Sequence, residues 1–233
     1  MARRTLLKPH DRQELVGIPT DEDSLIRHYS LSPADRLEIE VRRREHNRLG
    51  FALQLCLMRY PGRALIANEA LPMPMLNHVA EQVGADPASF ELYARREETR
   101  MNHVARLLGY LEMRSPTGED RRAALLAAIE TASTTDKGAV IANAIITMYR
   151  ERRVLLPVVT MIERMGLAAR AIARRRAEAA LISDLDPDKL EALDALLDVD
   201  PAIGQTRFHW LRWGRLREGA ESYAKALASD ILR

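Results

Sequence analysis

Residues Arg42–Gly62 read RRREHNRLGFALQLCLMRYPG. From Asn47 onward the apolar side chains do not keep to one stripe. Leu49, Phe51, Leu53, Leu55, Cys56, Leu57 and Met58 cover almost the whole circumference of a helix, with Gln54 as the main polar interruption. A helix that is apolar all round must be buried on every side, so this stretch predicts the central rod of an all-helical domain. Pro61-Gly62 ends it, because proline cannot continue the hydrogen-bond ladder and glycine permits a turn. The start of the rod differs in character: Arg42, Arg43, Arg44, His46, Asn47 and Arg48 fall within seven residues. Guanidinium groups held in place by a buried rod suit phosphate. A solvated basic turn is the plainer reading of the same residues.

Working outward, the 233 residues suffice for one large or two ordinary domains. With 47% hydrophobic and 29% charged residues the chain has the composition of a globular protein rather than a disordered one. Aromatics at 5%, beside abundant Ala, Leu and Arg, favour helices over sheets. The net charge of +2 hides an uneven distribution: Lys137–Ile182 carries nine basic residues against three acidic ones, and Ser183–Asp200 one against seven. A local positive surface is therefore possible without a basic protein. Cys56 is the only cysteine and sits in the apolar rod, so no intrachain disulfide forms, in keeping with a reducing compartment. The start, MARRTLLKPHDR, lacks the apolar core of a signal peptide, and no run approaches the ~20 apolar residues of a membrane helix. The expected location is the cytoplasm.

Along the chain, Pro9–Gly17 and Asp21–Tyr29 predict two short helices. Ser32-Pro33-Ala34-Asp35 marks a helix start: a side-chain cap, a proline in the first turn and a carboxylate near the positive helix end. That helix is expected to run to about Arg44. In Leu76–Arg95, Val79, Ala80 and Val83 share one face, Gly84 breaks the helix, and Asp86-Pro87 caps a second one that buries Phe90 and Tyr93. Two short helices around a glycine turn make a helix-turn-helix candidate. In that reading the second helix enters the major groove with Ser89 exposed, and Arg95, Arg96, Thr99 and Arg100 follow as phosphate contacts. A helical hairpin that touches no nucleic acid carries the same pattern, and so does a charged turn whose Arg and Glu pair with one another. Met113–Glu119, with Ser, Pro, Thr and Gly between two helical patterns, is the clearest domain boundary. Val158–Arg176 repeats the arrangement more loosely around Gly166, with Arg170, Arg174, Arg175 and Arg176 on the second limb; an ordinary exposed helix accounts for it equally. Asp186-Pro187 caps an acidic amphipathic helix. No glycine-rich phosphate loop, HExxH or CxxC pair occurs, and the six histidines are scattered. No active site, metal ligand set or cofactor site is expected.

Taken in order, these residues resemble the amino-terminal part of Tn-three family transposases, the large replicative transposases of bacteria. The resemblance is carried by Asn47–Cys56 (NRLGFALQLC) with Arg59-Tyr60-Pro61-Gly62. It is supported by Tyr93–Arg96 with Thr99, Arg100 and His103, by Arg152–Pro157 (RRVLLP), by Leu193–Leu197 (LDALL) and by Arg207–Arg212 (RFHWLR). The resemblance implies recognition of the element's terminal inverted repeats by consecutive helical DNA-binding domains. It places cleavage and strand transfer in a carboxylate-triad, ribonuclease-H-like domain further along, before which this chain is expected to stop.

The resulting expectation is an all-α chain of two helical bundles in tandem, each with a helix-turn-helix-like element. Residues 1–114 and 115–200 would form the two DNA-binding domains and 201–233 would open a further helical segment. Expected DNA contacts are Arg42, Arg43, Arg44, Asn47, Arg48, Ser89, Arg95, Arg96, Thr99 and Arg100 from the first, and Arg170, Arg174, Arg175 and Arg176 from the second. The expected partners are double-stranded DNA bearing the inverted repeats and a second copy of the transposase, in the bacterial cytoplasm, with no membrane and no cofactor. Two rivals explain the helices without transposition: a dimeric helix-turn-helix regulator on a palindromic site, and a protein-binding adaptor presenting the acidic helix Asp186–Asp198.

Overall fold

The computed structural model describes residues 5–67, 69–93, 97–183, 185–202 and 204–209, and helix ends in it follow the marks left in the sequence. Helices α1 (Pro9–Val16) and α2 (Glu22–Tyr29) come first, α2 capped by the Asp21 carboxylate accepting from Ser24 N at 2.9 Å. Helix α3 (Pro33–Glu40) opens on a reciprocal capping box between Ser32 and Asp35 with Pro33 in the first turn. It stops at Glu40 rather than near Arg44. There the Arg42 amide bonds back to Ile39 O at 3.0 Å, and its guanidinium swings onto the Phe51 ring, 4.2 Å from the centroid. Helix α4 (Glu45–Arg59) is the expected rod, with every residue from Leu49 to Met58 buried, Gly50 and Gln54 included. Gln54 is only half satisfied there: its Oε1 accepts from Leu65 N at 2.9 Å, while its Nε2 is buried without a hydrogen-bond partner among the described residues. The rod ends at Tyr60, followed by a cis Tyr60–Pro61 bond and Gly62 at φ 110°.

Helix α5 (Met73–Val83) ends on Gly84 in the left-handed region (φ 60°), and Ala85 N reaches back to Ala80 O at 3.0 Å. The second limb of the first helix-turn-helix candidate is not an α-helix. It is a six-residue 3-10 helix, Pro87–Leu92, capped by Asp86, after which the chain turns so that the Tyr93 ring lies on Gly50. Helix α6 (Glu97–Tyr110) follows, then α7 (Gly118–Thr134), which opens on a Thr117/Asp120 capping box, and α8 (Gly138–Glu151). The second candidate also differs from expectation. Residues around Gly166 form one uninterrupted helix of 25 residues, α9 (Val159–Ser183). Gly166 serves close packing rather than a turn: a Cβ there would meet Leu6 Cδ2 at 2.2 Å. Helix α10 (Pro187–Ala195), capped by Asp186, and a short antiparallel pair, β1 (Val199–Asp200) with β2 (Gln205–Thr206), follow, so that the described residues form an all-α architecture; the further helical segment expected over 201–233 lies from residue 210 on outside the described residues.

One compact unit runs to Arg175 and another begins at Arg176. The first unit holds two apolar cores. Tyr29, Ile39, Phe51, Leu55, Val79 and Leu107 belong to the first, built around α4. The second gathers Ile141, Ile145, Tyr149, Ile162 and Ala169 with Leu6, Leu7 and Val16, so the start of the chain packs with α7–α9 rather than with α4. The two cores meet at the Pro61-Gly62 turn, where Leu156 N donates to Gly62 O at 2.9 Å. Thus Arg59–Gly62 and Arg152–Pro157, two of the motifs read from the sequence, fold against one another. Among the described residues no helix is long and apolar enough to cross a membrane.

Candidate nucleic-acid interface

The connection between α3 and α4 places the first arginine cluster. Arg44 occupies the cap position of α4, its carbonyl accepting from Asn47 N and Arg48 N at 2.9 Å. Glu45 reaches across to Asp86 N at 2.6 Å and ties the start of α4 to the turn before the 3-10 helix. Arg43 and Arg44 are exposed, Asn47 and Arg48 half-buried. None of Arg43, Arg44 and Arg48 makes an ion pair among the described residues. Two exposed cations at a helix start, unpaired because the neighbouring Glu45 is bonded to Asp86 N instead, can accept an oxyanion without first breaking a salt bridge.

Arg42 behaves differently from its neighbours. Its Nη2 lies 3.2 Å from Glu38, its guanidinium covers Phe51, and only 17% of its side chain is exposed. It braces the bend between α3 and α4. Ser89 sits on the 3-10 helix with its hydroxyl buried and without a hydrogen-bond partner among the described residues. Arg95 and Arg96 fall outside the described residues. Thr99 is half-buried, and Arg100 donates to Leu65 O and to Glu97, both at 3.3 Å, so it fastens the loop after the rod to the start of α6.

Below this surface lies an aromatic wedge. The Tyr93 hydroxyl meets His103 Nδ1 at 3.0 Å, and His103 packs edge-on against Phe51 with centroids 5.1 Å apart. Burial, assisted by the positive charge of Arg42, pushes the His103 imidazole down to about 4, so it is neutral near pH 7 and can accept from the Tyr93 hydroxyl. A base depressed in the folded state is protonated first in the unfolded chain. Stability is therefore full above the unfolded value near 6.5 and is lost as pH falls from there towards 4, by about 3 kcal/mol in all. Urea midpoints measured from pH 7 to pH 4 should fall more steeply for the wild type than for His103→Gln; parallel slopes would refute this role.

The second cluster is carried by α9. Arg170 is half-buried and its Nη2 donates to Asp136 O at 2.5 Å. Arg174, Arg175 and Arg176 are exposed, and Arg175 and Arg176 make no ion pair among the described residues. On a helix only Arg170 and Arg174 share a face. The first cluster thus lies at the start of α4, tied through Glu45 to the turn before the 3-10 helix on which Ser89 buries its hydroxyl instead of exposing it, while the second stays on α9. Other arginines converge that the sequence reading did not count among the DNA contacts, although Arg152 and Arg153 open the RRVLLP motif: Arg114, Arg150, Arg152 and Arg153, close to the Pro61-Gly62 turn. The run Arg150–Arg153 (RERR) was the available signal. Among the described residues no three His, Cys, Asp or Glu side chains group so as to hold a metal ion.

Comparison with known proteins meets the resemblance drawn from the motifs. The transposase for transposon Tn501 of Pseudomonas aeruginosa is 39% identical over 93% of this chain and 22% of its own length. The transposases for Tn3926 and Tn21 of Escherichia coli are each 37% identical over 91% of this chain, and over 21% and 22% of their own lengths. The chain therefore spans about a fifth of the length of these relatives. A family model described as a domain of unknown function, DUF4158, matches residues 6–169. That match takes in the first apolar core, nearly all of the second and most of the sequence, and the chain belongs to the DUF4158 family.

Proposed function

We propose that this region holds double-stranded DNA and reads the terminal inverted repeats of a transposon on behalf of a transposase. The observation that carries the reading is the exposed pair Arg43 and Arg44, which makes no ion pair among the described residues, with Arg48 a turn further on, held by the buried rod and by the Glu45–Asp86 bond. The identity to transposases over more than nine-tenths of the chain supports it. Arg175 and Arg176 on α9 add a second set of phosphate contacts, and Arg42, Ser89 and Arg100 act by positioning the elements that carry the contacts. Phosphate contacts supply most of the affinity and base edges the specificity. A transposon has two ends, so a second copy of the transposase is the further partner. In this reading the stretch binds DNA and does not itself break or join strands.

The test is a gel shift of the chain on an inverted-repeat duplex and on a scrambled one across a salt series. Preference for the repeat and a steep loss of affinity with salt are expected. Replacing Arg43 and Arg44 with Ala should weaken binding about tenfold and lower the slope of log K against log salt by roughly 1.8, with helical content unchanged. Equal, salt-insensitive binding to both duplexes would overturn the reading.

A further inference from the structure

Four arginines from two chain turns are held together where the two cores meet. After α6 and after α8 the chain ends its helix on a left-handed residue, Glu112 at φ 52° and Arg153 at φ 51°. Met113 N bonds to Leu108 O at 2.8 Å and Val154 N to Tyr149 O at 2.9 Å, closing the two ends in the same way. Glycine is the residue that takes such a position at no steric cost; this chain keeps a glutamate and an arginine there, and their side chains pair with one another. The turns are then tied together by Arg114 N to Arg153 O at 3.0 Å and Leu155 N to Arg114 O at 2.9 Å. These bonds fix the directions in which Arg114, Arg152 and Arg153 leave the backbone.

The charges at this place do not balance. Arg114 donates to both oxygens of Asp120, at 2.5 and 2.7 Å, and Arg152 approaches the same carboxylate at 3.6 Å. Asp120 is buried and also accepts from Thr117 N and Oγ, so two guanidiniums share one carboxylate that is already crowded with donors. Arg150 donates to Pro61 O at 3.0 Å and lies 5.9 Å from the Tyr60 ring centroid; neither partner carries a net charge. Arg121 and Arg122 stand exposed in the first turn of α7, against the exposed Glu119 beside them and Glu151 on α8. Six basic residues thus face four acids, one of them buried, and the arginines keep roughly half of their surfaces in solvent. Guanidiniums that share a carboxylate or rest on a carbonyl retain unused donors, which is the arrangement that takes up a phosphodiester.

We propose that Arg114, Arg150, Arg152 and Arg153 form a second phosphate-binding surface for the DNA backbone, at the junction of the two cores, with Glu112 holding Arg153 until a phosphate replaces it. This rests on the reading that the region binds duplex DNA. The surface contacts phosphates only, so it adds affinity without choosing a sequence.

The two readings separate in one set of anisotropy titrations, on inverted-repeat and scrambled duplexes between about 50 and 200 mM salt. Arg153→Gly relieves the left-handed backbone, so its thermal midpoint should stay level or rise while binding weakens by about threefold on both duplexes and the salt slope drops by roughly 0.9. Adding Arg152→Ala should bring the loss to about tenfold and the slope change to roughly 1.8. Glu112→Gln, which releases Arg153, should tighten binding by about twofold. Unchanged affinity and slope in the Arg153→Gly chain, with binding still weakened by loss of Arg43 and Arg44, would overturn the junction surface and leave the wider reading standing. A wild-type chain that binds neither duplex would overturn both. A loss of binding confined to the inverted repeat would also count against the surface, because a phosphate contact acts on every sequence alike.

Discussion

Replacing Gly50 with alanine is expected to destabilise the protein by about 3 kcal/mol, against the ~1 kcal/mol by which alanine ordinarily favours a helix over glycine. The added Cβ would fall 2.1 Å from Tyr93 Cδ2, 2.2 Å from Cγ and 2.4 Å from Cε2, well inside van der Waals contact with one face of the ring. The ring has nowhere to retreat. Its hydroxyl is bonded to His103, and the His103 and Phe90 rings stack against it with centroids 5.7 and 6.0 Å away. Gly109 supplies the control, since it lies in α6 and a Cβ added there would meet nothing within 4 Å.

Gly109→Ala should therefore raise stability by about 0.5–1 kcal/mol. Urea midpoints followed by far-UV circular dichroism read both signs. A Gly50→Ala chain as stable as the wild type would mean that Tyr93 does not sit on the rod. The substitution also reaches the DNA surface, because Tyr93 ends the 3-10 helix that Asp86 and Glu45 hold beside the start of α4. Repeat binding should fall further than the lost stability alone explains.

Much of this arrangement is legible in the amino-acid sequence, and what is not has a common cause. The rod from Leu49 to Met58, its stop at Pro61-Gly62, and the caps at Ser32, Asp86 and Asp186 depend on residues a few positions apart, and these are found where the pattern puts them. Gly84 and Gly166 stand in similar local patterns yet do opposite things. Gly84 takes a left-handed backbone and turns the chain, whereas Gly166 stays helical because Leu6 packs against it from the far end of the sequence. No local pattern reports such a contact. The arginines divide in the same way. That Arg42 could meet Glu38 follows from their spacing of four, but its place over Phe51 requires the bend between α3 and α4. Arg43, Arg44 and Arg48 keep their charge available only because no acid folds back onto them among the described residues. The convergence of Arg114 with Arg150, Arg152 and Arg153 needs two helix ends from different parts of the chain to pair, which composition does not announce.

The buried carboxylate of Asp35 is the other place where one atom should matter most. Five donors converge on it. Ser32 N at 2.7 Å, Ser32 Oγ at 2.8 Å and Arg59 Nη1 at 2.8 Å reach one oxygen, and Arg59 Nη2 at 2.5 Å and Tyr110 Oη at 2.8 Å the other. Through these bonds Asp35 joins the start of α3, the end of the rod and the end of α6. Asp35→Asn keeps the shape and removes the fit, since either orientation of the amide turns its NH2 towards at least two donors and leaves the Arg59 charge uncompensated. The expected cost is about 3–5 kcal/mol, the range for breaking a buried ion pair from one side. Tyr110→Phe removes a single bond and should cost about 1 kcal/mol. Burial alone would raise the pKa of Asp35, but the bonds from Arg59, Ser32 and Tyr110 outweigh it and hold the carboxyl at about 2. An acid depressed in the folded state contributes stability above its unfolded value, near 3.9, and loses it as pH falls through the folded one. The wild type should therefore give up about 2 kcal/mol between pH 4 and pH 2 that the Asp35→Asn chain, already without it, cannot lose. Acid titrations of the two proteins with equal slopes in that window would show that Asp35 does not hold the three helices together.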